Sequence, residues 1–175
     1  MSDKNSINNY ILQVGIVLGI AFSAVIYIAH TQGVSHVPGD NLAWINIIIF
    51  TFLVSASARQ YREMVEGEAF TYKRAFLYTT KINVISAFVL AIFGYFYYNT
   101  IAPNDLQDIL IQVENTFKQM NISAEQSKLM LQLYSESLSG GTMAFVMFVF
   151  QIAGGALFSL LLANSIKWRK PLIIS

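Results

Sequence analysis

Four long apolar runs, residues 10–29, 42–58, 75–98 and 142–166, constrain the chain most, and none of them contains Asp or Glu. A helix rising about 1.5 Å per residue needs roughly 20 mostly apolar residues to cross about 30 Å of hydrocarbon, where only its own carbonyls can satisfy its amides. The second run is the shortest, but Trp44 near its start and Tyr61 just past its end are the amphipathic rings expected at the two membrane boundaries. Composition agrees with embedding: 55% of residues are hydrophobic and 12% charged, against roughly 25% charged in a soluble domain. The expectation is an all-α, polytopic membrane protein with four transmembrane helices, forming a single membrane domain over residues 1–175.

A cleaved signal sequence is the alternative for the first run, since Lys4 precedes it. The run is longer than the 7 to 15 apolar residues usual in such signals, and its leader is polar rather than basic, so retention as a helix is expected.

Net charge is +1, which supplies no field for nucleic acid. The distribution of charge says more. Nine of the eleven Lys and Arg residues, Lys4, Arg59, Arg62, Lys73, Arg74, Lys81, Lys167, Arg169 and Lys170, fall on one side of a four-span topology. The other side holds Lys118 and Lys128 against Asp40, Asp105, Asp108, Glu114, Glu125 and Glu136. Because basic loops are retained in the cytoplasm, both termini and the segment from Arg59 to Arg74 are expected there. The two outward hairpins share an orientation, as in a parallel repeat, without residue-level similarity.

The segment after the second run continues as helix, with Arg59 and Glu63, and Arg62 and Glu66, at i, i+4 spacing. Gly67 is the expected stop and Thr71 the expected N-cap of helix three. Its charges, including Glu68, are read as a solvated loop with weak ion pairs. Between the third and fourth runs, Leu106, Ile109, Leu110, Val113, Phe117 and Met120 recur at helical spacing, with Asn104 as N-cap and Asp105 and Asp108 suited to the helix N-terminus. Asn121 interrupts that helix. Ser123 and Gln126 form a capping box for a second, carrying Leu129, Met130, Leu133 and Leu138 before Gly140 and Gly141. An extracytoplasmic amphipathic helical hairpin over about residues 104–138 is therefore expected. Asn121-Ile122-Ser123 also matches a glycosylation acceptor, a three-residue pattern with little specificity.

Candidate chemistry is sparse. Cysteine is absent, which excludes disulfides, thiolate nucleophiles and Cys-ligated metals. No Walker loop, Ser/His/Asp arrangement or dinucleotide fingerprint occurs, and no cofactor is implied. His30, His36 and Asp40 lie close in sequence but match no metal motif. The polar residues within the runs are Gln13, Asn46, Lys81, Asn83, Gln151 and Asn164. Lys81 is placed to snorkel toward headgroups, with an anionic lipid or other anion as its candidate contact. The amides suit interhelical hydrogen bonds. Small residues at four-residue spacing, Gly15, Gly19 and Ser23, then Gly155, Ser159 and Ala163, mark close helix contacts, within the bundle or between copies.

Arg59-Gln60-Tyr61-Arg62 leaving helix two, Gly67 followed by Phe70-Thr71-Tyr72 and Ala75-Phe76, and Ile101-Ala102-Pro103 opening the outer segment occur in an order that resembles the bacterial four-span family catalogued as domain of unknown function 4199. The resemblance covers nearly the whole chain and implies a bacterial inner-membrane location, with no activity or catalytic residue attached. The preferred expectation is a non-enzymatic protein with an interaction or accessory role, its partners being the bilayer and a membrane protein or a second copy. A small transporter or channel subunit is the alternative.

Overall fold

The computed structural model describes residues 4–33, 42–64, 70–120 and 122–167. They form α1 (Lys4–Thr31), α2 (Leu42–Met64), α3 (Tyr72–Phe96) running into a π-helical turn (Tyr97–Ile101), α4 (Asp105–Gln119), α5 (Ala124–Ser137) and α6 (Gly140–Ile166). Gly67, His36, Asp40, Glu66, Glu68, Asn121, Arg169 and Lys170 lie outside the described residues.

Among the described residues three helices are long and apolar enough to cross a membrane: Asn5–Thr31, Tyr72–Ile101 and Gly140–Ile166, with mean hydropathies of 2.4, 1.7 and 2.2 over an 18-residue stretch of each. Helix α2, expected as the second span, is not among them. Its apolar first half gives way to Ser55, Ser57, Arg59, Gln60, Arg62 and Glu63 while the helix continues unbroken to Met64.

Local signals set the helix starts. The Thr71 hydroxyl accepts from the Arg74 amide at 3.4 Å and caps α3. The Ser123 hydroxyl accepts from the Gln126 amide at 3.3 Å and opens α5. That hydroxyl also lies 3.1 Å from Gln126 Oε1, so the side-chain half of the box closes on the hydroxyl. Asn104 occupies the N-cap position of α4 but makes no side-chain cap bond. Gly140 and Gly141 follow α5, as expected, and also open α6, two residues ahead of the expected start at Thr142, because Ser139 caps it through the Thr142 amide at 3.2 Å.

Helix α3 is the centre of the bundle, packed on α1 along one side and α6 along another, while α2 lies on α1 and touches α6 only sparsely. Close approach comes from missing side chains. A Cβ added at Gly15 would sit 2.6 Å from Ile85 Cβ, and one at Gly19 would sit 2.5 Å from Val89 Cβ. On α6, a Cβ at Gly155 would overlap the Asn83 amide, and one at Gly94 of α3 would meet Met147 Sδ at 2.6 Å. These contacts also give the chain directions. Gly15 opposite Ile85 and Gly19 opposite Val89 make α1 and α3 parallel, whereas Asn83 at Gly155 and Asn99 at Gly140 make α3 and α6 antiparallel.

The bundle is apolar outside as well as inside, its core holding Leu18, Phe22, Ile82, Leu90 and Met147. Ser23, Thr79, Asn83, Ser86 and Ser159 are buried, whereas Ile20, Phe52, Phe88, Phe150 and Leu161 face outward, Leu161 with 69% of its surface exposed. Water would penalise that face and hydrocarbon would not, so the protein is a membrane protein.

Candidate functional site

Polar side chains concentrate at three levels of the bundle. At the end that carries Arg59, Lys73 and Lys167, the Tyr78 hydroxyl donates to Ser57 Oγ at 2.7 Å and Ser57 Oγ donates to the Val54 carbonyl at 3.0 Å. The Tyr10 hydroxyl donates to the Ser57 carbonyl at 3.0 Å. This knot ties α1, α2 and α3 together. The Tyr78 ring packs 4.3 Å from that of Tyr61 and 6.0 Å from that of Phe70, which is almost wholly buried. Tyrosine hydroxyls and a carbonyl are poor proton acceptors at neutral pH, so Ser57 is placed as a link between helices rather than a nucleophile.

At mid-height Asn83, 1% exposed, donates through Nδ2 to the Gln151 carbonyl at 3.2 Å and accepts at Oδ1 from Gln151 Nε2 at 3.0 Å. The Asn83 amide is thus satisfied at both ends by Gln151, at Nδ2 by its backbone carbonyl and at Oδ1 by its side chain. One turn further along α6 from Gly155, the buried Ser159 hydroxyl has no partner among the described residues. Ala163 is fully buried on α6, and Ser23 on α1 donates to the Gly19 carbonyl at 2.9 Å. Gln13 is exposed. Asn46 is half-buried with its Oδ1 unpartnered among the described residues, and Asn164 accepts from Lys167 Nζ at 2.6 Å.

At the opposite end the chain leaves α3 through the π-helical turn, and the Tyr97 hydroxyl donates to Asp105 Oδ2 at 2.7 Å. Both residues are buried. The His30 ring meets the Tyr97 ring edge-on at 5.6 Å, so α1, the turn and the start of α4 converge here. Asp105, expected to serve the helix N-terminus electrostatically, is also the anchor of α4. Pro103 is exposed between the turn and α4. Among the described residues no three His, Asp or Glu side chains come together as a metal site.

From that anchor α4 turns Leu106, Ile109 and Val113 toward the core, with Ile109 buried, while Met120 at its far end is exposed. Helix α5 rests on α4, with Phe117 and Tyr134 in ring contact at 6.3 Å, and none of its residues is buried. Leu129, Met130, Leu133 and Tyr134 are all exposed. The spacing of the apolar residues foretold a stripe on both helices; only the stripe of α4 is covered.

Two grooves run along the bundle surface. One, of about 540 Å³, lies between α1 and α3 and is lined by Asn8, Asn9, Leu12, Thr80, Lys81 and Ile85. It contains the Lys81 side chain. The other, of about 920 Å³, lies between α2 and α6 and ends at Arg59 and Arg62. The spaced pair Arg59 and Glu63 forms no ion pair among the described residues. Arg62 Nε donates instead to the Ala58 carbonyl at 3.2 Å. Neither groove reaches Asn83, Gln151 or Asn164.

A family model described as protein of unknown function (DUF4199) matches residues 13–167, which takes in every polar level above except the Tyr10 bond. The chain belongs to the DUF4199 family. No curated protein and no solved structure matches it significantly. In this DUF4199 chain, the motif residues Arg59 and Arg62 border the α2–α6 groove, Phe70 packs on the tyrosine knot, and Pro103 leads from the π-helical turn into α4.

Proposed function

We propose that this DUF4199 protein is a four-span protein of the bacterial inner membrane with a non-enzymatic, accessory role, docking another membrane protein through the outer face of α5. The fourth span is α2. Helices α1 and α3 run parallel, so a chain crossing in both must return between them, and α2 lies antiparallel to α1 with Ser57 level with Tyr10. Its outward face, Trp44, Ile48 and Phe52, is apolar and about 70% exposed, suited to lipid. Both termini and the Arg59 to Arg74 segment are cytoplasmic, which leaves α4 and α5 as an outer helical hairpin. Lys81 reaches the cytoplasmic headgroups from its groove.

The observation that carries the docking role is α5: its amphipathic spacing prepares an apolar face, and Leu129, Met130 and Leu133 remain uncovered on a segment outside the apolar spans. A packed bundle in which Asn83 and Gln151 bond each other supports docking over transport. Photo-crosslinking from position 133 in native membranes tests it. A discrete protein adduct, lost in Leu129→Glu with Met130→Glu while thermal stability in detergent is unchanged, is expected. Adducts to lipid alone, or equal adducts from the polar position Ser135, would overturn it.

A further inference from the structure

We infer that the groove between α2 and α6 holds an anionic glycerophospholipid, with one acyl chain along α2 and the phosphate between Arg59 and Arg62. The groove exists because α2 is bound to α1 by the Ser57 knot and touches α6 only sparsely, so the two helices leave a wedge open to the bilayer. Its volume of about 920 Å³ is that of a ligand site. Along α2 the uncharged lining runs from Ile47 to Ala56, about 14 Å by helical rise, with Ile47, Ile48, Phe52 and Ala56 apolar and only the small hydroxyls of Thr51 and Ser55 between them. That depth is close to half of the roughly 30 Å hydrocarbon core, the thickness available to one leaflet. Ile48 and Phe52 provide the chain contact on α2, and Ile166 closes the groove on α6.

Charge selects the headgroup. Arg59 and Arg62 border the same groove at its polar end. Among the described residues Arg59 makes no ion pair, and Arg62 is held through its Nε by the Ala58 carbonyl at 3.2 Å. Two guanidinium groups beside one apolar slot match a phosphate diester carrying an acyl tail, since each can give paired N–H donors to phosphate oxygens. A zwitterionic lipid brings its own cation into the same space and loses that advantage.

The test uses the full chain, purified in mild detergent, delipidated, and returned to vesicles of phosphatidylcholine containing a minor fraction of spin-labelled phosphatidylglycerol or spin-labelled phosphatidylcholine. The immobilised fraction of label measures retention. Wild type is expected to favour phosphatidylglycerol by roughly tenfold, the size of one good charge-assisted contact. Arg59→Gln with Arg62→Gln should bring the two labels level, Arg59→Lys with Arg62→Lys should keep part of the preference, and Lys128→Gln on α5 should leave it intact. Ser55→Trp, which fills the slot, should lower immobilisation of the label while circular dichroism stays helical. Equal retention of both labels by wild type, or a preference that survives the double Gln change, overturns the inference. So does displacement of the label by inorganic phosphate at equal concentration, which would mean an anion site without a tail, or a change of oligomeric size in the double Gln variant, which would mean that a second copy fills the groove. Loss of the docking adduct from α5 has no bearing on these readouts, so the two ideas fail separately.

Discussion

The α1–α3–α6 bundle and the α4–α5 pair differ in what they expose more than in what they bury. In the bundle Leu18, Phe22 and Ile82 face inward together with Gly15, Gly19, Ser86 and Asn83, while Phe88, Phe150 and Leu161 face outward. In α4 Ile109 is in and Gln112 is out, as in a soluble protein. The reason is the surroundings. Lipid removes the hydrophobic drive between helices, leaving close packing and amide bonds to hold them, whereas outside the lipid apolar burial is again the main force. Helix α5 obeys neither pattern, since Leu133 is as exposed as a lipid-facing leucine but lies beyond the apolar spans. An exposed Leu161 therefore needs no explanation, and an exposed Leu133 does.

Three variants break or sharpen that contrast. Gly19→Ile has the largest expected effect. Even a single added carbon would sit 2.5 Å from Val89 Cβ and 3.0 Å from the Ser86 carbonyl oxygen, so a loss of about 3 kcal/mol is expected, at the upper end of usual overpacking costs. Thermal unfolding in detergent reads it, with the lipid-facing Leu161→Ala as a control that should move little; an unchanged midpoint for Gly19→Ile would remove close packing as the basis of the bundle.

Ile109→Asp combined with Val113→Asp comes next and acts locally. Burying a large apolar side chain contributes about 1.5 to 3 kcal/mol, so the seating of α4 should weaken by about 2 kcal/mol while α1, α3 and α6 stay packed. Limited proteolysis should cut α4 and α5 faster, and Gln112→Asp should match wild type. Equal cleavage in all three proteins would mean that the covered stripe of α4 holds nothing in place.

Asn83→Ala is the smallest. It removes the pairing with Gln151, and amide bonds between membrane helices average about 0.6 kcal/mol, with some near 1.7, so a loss of about 1 kcal/mol is expected. A larger loss would mark the pair as a principal support of the α3–α6 contact, and none would leave Gly155 as the feature that matters there.

Much of this was legible in one dimension because it depends on spacing alone. Three of the four apolar runs announced helices long and apolar enough to cross a membrane, and Thr71 and Ser123 announced two helix starts. The α4 stripe was readable for the same reason. Periodicity says which face of a helix is apolar. It does not say what covers that face, and so it could not distinguish α4, seated on the core, from α5, which is not.

What only the tertiary structure decided are the meetings of residues far apart in the chain. Nothing about Tyr10, Ser57 and Tyr78 as separate letters joins them, and tyrosines near helix ends read equally well as a membrane-interface belt. Asp105 looked like a helix-terminus charge until the π-helical turn brought Tyr97 over it. The choice of α3 as the central helix, with Gly15 and Gly19 against it on one side and Gly155 on another, likewise depends on how the helices are arranged. The sequence by itself determined that helices form, where they begin and which faces are apolar or small, because those are local or periodic properties of consecutive residues. Which faces meet, and so where Arg59 and Arg62 share a groove, was decided in three dimensions, because helix pairing depends on shape complementarity between surfaces that no single segment contains.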